Sequence, residues 1–237
     1  ARYREILADI KEIDGIIREE LMEIKTKYAD PRRTEITGRS GDIRIEDLVA
    51  DEDIVVTLTH QGYIKRIPVD AYRSQRRGGR GITALTTKEE DFVEHLFITS
   101  THSHIVFFTN KGKMYRLKGY EIPEAGRQAR GVAIINLIQI EPGEKVQAVI
   151  AISEYGDSEY LVMATKMGRV KKTALEEFDS PRVGLIGIVL EDGDELIGVR
   201  ITDGDEEILL VTREGMSIRF SETEVRPMGR ATMGVKG

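Results

Sequence analysis

The side chains best suited to chemistry stand together in one short segment: Gln75, Arg76, Arg77, Gly78, Gly79, Arg80 and Gly81. A guanidinium group can form two parallel hydrogen bonds to phosphate oxygens. Glycine has no side chain and lets a backbone approach its ligand closely. The segment is therefore predicted to hold a polyanion.

The composition of the chain sets limits on its class. The 237 residues include 35 basic and 41 acidic side chains, a net charge of −6, which taken alone argues against nucleic-acid binding. A binding face depends on how charge is distributed, however, and not on its sum. The 23 glycines predict many short strands and tight turns. The absence of cysteine excludes disulfides and thiolate metal sites. No signal peptide or membrane span is apparent, so we expect a cytoplasmic protein without a membrane partner.

The first part of the chain is predicted to be a helix and a linker. Apolar residues recur at spacings of three and four over residues 1–29, which favours one amphipathic helix. Its apolar stripe packs either on this chain's own globular domain or on a partner helix, and the sequence leaves both open. Asp30 and Pro31 end the pattern. Residues 30–52 are polar and predict a linker, with one short strand at Ile43 to Ile45.

Residues 53–237 contain an internal repeat of four units. Each unit has a strand, a glycine turn and a second strand, and the turn glycines are Gly62, Gly112, Gly168 and Gly215. Four residues after each of these stands a basic residue: Arg66, Arg116, Lys172 and Arg219. Nineteen residues after each stands another glycine: Gly81, Gly131, Gly187 and Gly234. Spacings of about 50 residues predict a propeller-like, mainly β array with blades of about four strands.

Positive charge is concentrated in the same part of every unit. The net charge from two residues before the turn glycine to the second glycine is +5, +4, +2 and +1 in the four units, whereas residues 53–237 as a whole carry −2. This grading predicts a basic rim that contacts the phosphates of bent duplex DNA without reading bases. The alternative is that these charges only solvate loop tips. The rim candidates are Lys65, Arg66, Arg116, Arg127, Arg130, Lys171, Lys172 and Arg219.

The segment Gln75 to Gly81 resembles the gyrase A box, the signature of the C-terminal DNA-wrapping domain of the DNA gyrase A subunit. The preceding residues His60 to Arg66 and the following residues Thr87 to Leu96 agree with that family, and residues 125–131 and 228–235 are similar to its degenerate blades. The resemblance implies a β-pinwheel whose blades exchange strands. It also implies that duplex DNA wraps around the rim, which enables the holoenzyme to introduce negative supercoils.

The resemblance implies further expectations about partners and completeness. The partners would be duplex DNA, the remainder of the gyrase A subunit, and the gyrase B subunit in an A2B2 tetramer. The family's pinwheel usually has six blades, whereas four repeats are found here. The helix at residues 1–29 resembles the last helix of the breakage-reunion domain, and the DNA-cleaving tyrosine is absent. We therefore expect a type II topoisomerase fragment that bends DNA without cutting it. ATP and Mg²⁺ would belong to the holoenzyme, with no cofactor or metal in this chain.

The sequence leaves open two alternative functions of the chain and a second role for the box. The nearer rival is the C-terminal domain of the topoisomerase IV A subunit, which has a related disc without an intact box. The other is a propeller that binds protein partners. The box has a possible mechanical role as a strap between the first and last blades.

Overall fold

The computed structural model describes residues 2–30, 33–34, 45–72, 91–155 and 159–237. The chain divides into two compact units, Ala1–Ile43 and Arg44–Gly237. The segment Gln75 to Gly81 lies outside the described residues. Within the described ranges, no helix has the length and apolar character needed to cross a membrane.

The first unit contains two helices where the sequence predicts one. Helix α1 spans Arg2–Ala8 and helix α2 spans Ile10–Tyr28. Asp9 separates them because its backbone is extended and its side chain accepts a hydrogen bond from the Lys11 N–H at 3.0 Å, capping α2. Helix α2 ends as predicted before Pro31. Neither helix contains a buried residue, so their apolar side chains are uncovered in the part of the unit that the structure describes.

The second unit begins with one helical turn, α3, at Ile45–Leu48. The strand predicted at Ile43 to Ile45 is therefore wrong at Ile45, and residues 43–44 are not among the described residues. The Glu46 carboxylate lies 2.5 Å from the Lys118 ammonium, which ties this turn to the second repeat. The same ion pair lowers the pKa of Glu46.

The described residues from 53 onward form fourteen strands. They are β1 Asp53–Thr59, β2 Tyr63–Pro68, β3 Val93–Ser100, β4 His104–Thr109, β5 Lys113–Lys118, β6 Val132–Ala133, β7 Val146–Ile152, β8 Tyr160–Thr165, β9 Arg169–Ala174, β10 Leu185–Ile186, β11 Leu196–Thr202, β12 Glu207–Val211, β13 Ser217–Ser221 and β14 Val235–Lys236. All pairings between them are antiparallel.

Each of the first three sheets borrows one strand from the next repeat. The strand orders are β3-β1-β2-β6, β10-β5-β4-β7 and β11-β8-β9-β14, and the last sheet is β12-β13. Strands β6, β10 and β14 belong by sequence to the second, third and fourth repeats. The mainly β fold of propeller-like blades that exchange strands is thus confirmed. The fourth repeat forms a two-stranded sheet in the described residues, and its Leu209, Val211 and Ile218 side chains are exposed.

The turn glycines have the predicted backbone. Gly62, Gly112, Gly168 and Gly215 have φ angles of 82°, 73°, 82° and 83°, in the left-handed region that glycine occupies without steric cost. The carbonyl groups of the first three also accept hydrogen bonds from the following repeat. The donors, each at 2.8 Å, are the N–H groups of Ile134, Gly187 and Gly237. The tight turn and the exchanged strand therefore meet at the same residue.

The second glycine of the second, third and fourth repeats marks where the exchanged strand meets the preceding blade. A Cβ atom at Gly131 would lie 2.4 Å from the carbonyl oxygen of Ile64, and one at Gly234 would lie 2.4 Å from that of Val170. Both glycines also have positive φ, of 90° and 80°. At Gly187 the closest atoms of the preceding repeat would be 3.2 Å away. The constant offset in the sequence thus reflects a close backbone approach between repeats.

The blades pack face to face, and their central strands are buried on both sides. In β4, Ile105 and Phe107 belong to the core shared with the first repeat, whereas Val106 and Phe108 belong to the core shared with the third. Burial of each such side chain contributes about 1.5–3 kcal/mol. This two-sided burial explains why β1, β4 and β8, the first strands of the first three repeats, read as unbroken apolar runs. The corresponding strand of the fourth repeat, β12, alternates between exposed and half-buried residues.

Replacing Gly131 by Ala is expected to lower the free energy of unfolding by about 2 kcal/mol or more, because the new methyl group meets the Ile64 carbonyl in a left-handed backbone. Thermal unfolding followed by circular dichroism measures the loss. The matched control is Gly126→Ala in the same loop, where no atom lies within 4 Å of the added Cβ. Equal stability of the two variants would show that the backbone at Gly131 does not approach the Ile64 carbonyl closely.

Candidate nucleic-acid interface

Lys65, one of the predicted rim residues, is buried inside the domain. Its side chain lies on β2, and the residue is only 1% exposed. The ammonium group donates hydrogen bonds to the carbonyl oxygens of Gly126 at 3.2 Å, Arg127 at 2.5 Å and Ala129 at 3.0 Å. Burial lowers the pKa of Lys65 below its ordinary value. The buried cation therefore fixes the loop at residues 125–131 of the second repeat against the first blade.

Lys171 has the same role between the third and fourth repeats. It is fully buried on β9, and its ammonium group donates to the carbonyl oxygens of Gly187, at 2.8 Å, and of Arg230. Burial lowers the pKa of Lys171 to about 8. The buried cation thus joins the loop at residues 228–234, through the Arg230 carbonyl, to the third repeat, through the Gly187 carbonyl.

In the first three repeats, the basic residue four positions past the turn glycine connects its blade to the next repeat. The Arg66 Nε atom donates to the Ile122 carbonyl at 2.6 Å. Arg116 donates to the Asp179 carboxylate at 3.0 Å and to the Tyr155 hydroxyl at 3.3 Å. The side chains of both arginines are 19% exposed. The hydrogen bonds that both guanidinium groups donate are directed at the neighbouring repeat.

Lys172 continues this series in the third blade. Its ammonium group lies 3.6 Å from the Glu222 carboxylate and 4.3 Å from the centroid of the Tyr160 ring. Burial alone raises the pKa of Glu222, but hydrogen bonds from Thr202 and from backbone amides, together with the charge of Lys172, hold that pKa below its ordinary value. Lys172 is 4% exposed and is part of a buried ion pair between repeats.

These positions correct part of the predicted rim. Lys65, Lys171 and Lys172 cannot reach a phosphate because their ammonium groups are buried and bonded within the domain. Arg66 and Arg116 are largely committed to contacts between repeats. The prediction that these five residues bind DNA directly is therefore wrong for the three lysines, and the two arginines have little exposed surface for a phosphate.

Two other predicted rim residues keep part of their surface free. Arg130 donates to the Gln61 side chain at 3.1 Å, and its guanidinium carbon lies 3.6 Å from the centroid of the Tyr63 ring. Arg219 lies 3.4 Å from the Glu207 carboxylate, but its side chain is 74% exposed. A surface ion pair of this kind contributes little and can exchange for a phosphate. Both arginines stay candidates.

The arginines best placed for an external anion are Arg127, Arg182 and Arg230. Each stands on the segment that precedes an exchanged strand, and no hydrogen bond or ion pair engages any of the three guanidinium groups within the described ranges. Sequence reasoning selected only the first. A signal for the others was available: Arg127 and Arg230 follow their turn glycines by fifteen residues, as Arg77 does, and Arg182 follows by fourteen, as Arg76 does.

The arrangement provides fixed positive charges at successive junctions between blades. Buried lysines hold two of the three loop backbones, so the guanidinium groups project from anchored positions. Such groups hold phosphate oxygens without reading bases. Among the described residues, no cluster of three or more histidine, aspartate and glutamate side chains is placed to hold a metal ion. The chemistry supported by this surface is non-covalent anion binding.

Lys171 is expected to make the stability of the domain depend on pH. Its pKa is about 8 when folded and about 10.5 in an unfolded chain, so the unfolded state binds more protons between these values. The free energy of unfolding should therefore rise from pH 8 to 10.5, by up to about 3 kcal/mol from this group. Chemical denaturation at each pH measures the rise.

The substitution Lys171→Met should remove that part of the rise, because the buried proton-binding group is gone. The matched control is Lys166→Met, at an exposed lysine of the same repeat that pairs with Glu195 at the surface. An unchanged slope in the Lys171→Met chain would contradict the burial of a charged ammonium group at this position.

Comparisons with known proteins agree with the repeat boundaries. The family model described as the DNA gyrase C-terminal domain, β-propeller, matches residues 53–100, 103–153, 159–203 and 206–237. The DNA gyrase A subunit of Clostridium acetobutylicum is 58% identical over 238 residues, and that of Halalkalibacterium halodurans is 54% identical. Both alignments cover 100% of this chain and 29% of the relative. The chain thus spans about three-tenths of the length of these curated relatives.

Solved structures show the same architecture. The C-terminal domain of DNA topoisomerase IV aligns with a TM-score of 0.69 and 32% identity, covering 80% of this chain and 58% of that one. The DNA gyrase A C-terminal domain aligns with a TM-score of 0.61 and 27% identity, covering 78% and 60%. The family model matches all four strand-exchanging repeats, and the identity to gyrase A subunits extends over the whole of this chain. The chain therefore belongs to the family of DNA gyrase C-terminal β-propeller domains.

Proposed function

We propose that this chain binds and bends duplex DNA as the wrapping domain of a DNA gyrase A subunit. The observation that carries the proposal is a set of three arginines at successive junctions, Arg127, Arg182 and Arg230, whose guanidinium groups have no hydrogen-bond or ion-pair partner among the described residues. They stand at the sequence positions that the box arginines occupy in the first repeat. Phosphate-directed contacts of this kind bind DNA of any sequence.

The energy of such contacts is of the size that bending requires. Smooth bending of 20–30 base pairs by 40–90° costs about 1–6 kcal/mol. A hydrogen bond that involves a charged group contributes about 1.5–3 kcal/mol. Three arginine contacts and those of the box are therefore enough to offset the bend over this whole range, whereas a single contact offsets only its lower part. The path must extend over several repeats.

The box residues Gln75, Arg76, Arg77, Gly78, Gly79, Arg80 and Gly81 are proposed as the strongest part of the path. The arginines would contact phosphates, and the glycines would allow the backbone to come close. In the third and fourth repeats the corresponding segments lead into strands that join the preceding blade. The same connection in the first repeat would make the box a strap, and this role is compatible with phosphate contact by its arginines.

In the whole protein, the bent DNA would be presented for strand passage. The remainder of the gyrase A subunit would cleave and rejoin DNA, and the gyrase B subunit would hydrolyse ATP with Mg²⁺, in an A2B2 tetramer in the cytoplasm. This domain would supply no catalytic residue and hold no cofactor. Its contribution is the handedness of the wrap, which decides that supercoils of negative sign are introduced.

Of the two rival functions, topoisomerase IV has a specific observation in its favour, the structural likeness to its C-terminal domain. The intact box and the 58% identity over the whole chain favour gyrase. A topoisomerase IV enzyme would relax and decatenate DNA without introducing negative supercoils. A protein-binding propeller would show no affinity for DNA.

Replacing Arg76, Arg77 and Arg80 together by Ala is expected to abolish DNA bending, because the most basic segment loses its phosphate contacts. Fluorescence transfer between dyes at the two ends of a duplex measures the bend. In a full-length gyrase, the same triple variant should lose negative supercoiling and keep ATP-independent relaxation.

The matched control removes the same number of charges elsewhere, with Arg2, Arg4 and Arg18 of the two N-terminal helices changed to Ala. It should bend DNA as the unmodified chain does. Unchanged bending by the box variant would contradict the assigned role of the box. Absence of any salt-sensitive bending by the unmodified chain would overturn the proposed function itself.

A further inference from the structure

The junction between the third and fourth repeats contains a cleft with two arginines. Its volume is about 490 Å³, and its lining includes Arg182 from the third repeat and Arg230 from the fourth. Gly184 and Ala231 also line it, so small residues leave room for a ligand to approach the backbone. Two arginines from separate segments thus line one space.

The backbone beside Arg230 is fixed at both ends of the residue. Its N–H group donates to the Glu177 carboxylate at 3.1 Å, and its carbonyl oxygen accepts from the buried Lys171 ammonium. Two residues later in the loop, the Thr232 hydroxyl donates to the Gly229 carbonyl at 2.9 Å. The main chain is therefore held by three hydrogen bonds, while the guanidinium group is engaged by none within the described residues.

Arg182 is exposed and reaches the cleft from the segment that leads into β10. Its N–H group lies 3.4 Å from the Ser180 hydroxyl, and no partner engages its guanidinium group in the part of the chain that the structure describes. Glu177 is the acidic residue in the lining, and one of its oxygens already accepts from Arg230. The charged side chains of the lining carry a net charge of +1, and the buried Lys171 ammonium, bound to the Arg230 carbonyl, adds a further positive charge. These charges favour an anion such as one phosphodiester.

We propose that this cleft binds a single backbone phosphate of duplex DNA, with Arg182 and Arg230 each donating to one of its two non-bridging oxygens. The inference depends on the proposed function, because it names one contact on the DNA path. It also goes beyond that function, since it makes the two repeats share one phosphate. A shared phosphate fixes the angle at which DNA crosses from one blade to the next.

The test measures the affinity of the chain for a fluorescent duplex over a range of salt concentrations. Arg182→Ala and Arg230→Ala are each expected to weaken binding about five- to tenfold at moderate salt. In the double variant, the fold-loss of affinity should be smaller than the product of the fold-losses of the two single variants. Its slope of log affinity against log salt should fall by about 0.9, the value for one phosphate.

The matched control is Arg213→Ala, which removes an exposed arginine from the turn of the β12–β13 hairpin and should change affinity less than twofold. Thermal unfolding verifies that each variant is folded, and Arg182→Lys with Arg230→Lys should keep the salt slope because both charges remain. Multiplicative losses with a slope change of about 1.8 would mean two separate phosphates and overturn the shared site.

Unchanged affinity of the folded double variant would also overturn the inference while leaving the proposed function intact. If instead the unmodified chain shows no salt-dependent DNA binding, the proposed function fails and the phosphate site fails with it. Binding lost at Arg213 but not at the cleft would place the DNA path at the hairpin turns.

Discussion

The exchange of a short strand between consecutive repeats is the interaction on which the rest of the domain depends. Without it, each blade would end at the second strand of its hairpin and expose a row of unpaired backbone groups. Strands β6, β10 and β14 cover those edges, and the turn glycine of the preceding blade accepts one of their hydrogen bonds. The approach is close enough that a Cβ atom at Gly131 or Gly234 would overlap a carbonyl oxygen. The spacing between the glycines therefore reflects the backbone contact between an exchanged strand and the preceding blade.

The exchange also decides where the positive charges lie. Each borrowed strand brings the segment before it onto the neighbouring blade, and in two of the three junctions a buried lysine binds the carbonyl groups of that segment. An ammonium group without these acceptors would be expensive to bury. The lysine ammonium groups thus bind carbonyl groups inside the domain. The guanidinium groups of the neighbouring Arg127 and Arg230 have no hydrogen-bond or ion-pair partner among the described residues and are candidates for binding an anion from solution. In the second blade Tyr115 takes the place of the lysine and donates to the buried Glu144 carboxylate at 3.1 Å.

Much of this architecture was predictable from the sequence, and the missing part has a physical reason. The turn glycines and the offset of nineteen residues predicted four repeats of hairpins. The same offset could not show that the second glycine of one repeat touches the blade before it, because spacing along a chain does not identify the partner. The type of charge also could not show which basic residues are buried. Lys65 and Arg127 are both basic, but only Lys65 is buried. The usual alternation of buried and exposed residues along a strand does not reveal this, because both Ile64 and Lys65 of β2 are buried. Comparing positions between repeats would have found Arg182 and Arg230.

DNA is proposed to follow the loops before the exchanged strands and not the hairpin turns. Modification of arginine side chains by a guanidinium-selective reagent, read by mass spectrometry with and without duplex DNA, tests this path most directly. DNA should protect Arg127, Arg182 and Arg230, while the exposed Arg200 and Arg213 stay reactive. Protection of Arg200 and Arg213, with the three loop arginines still reactive, would contradict the proposed path.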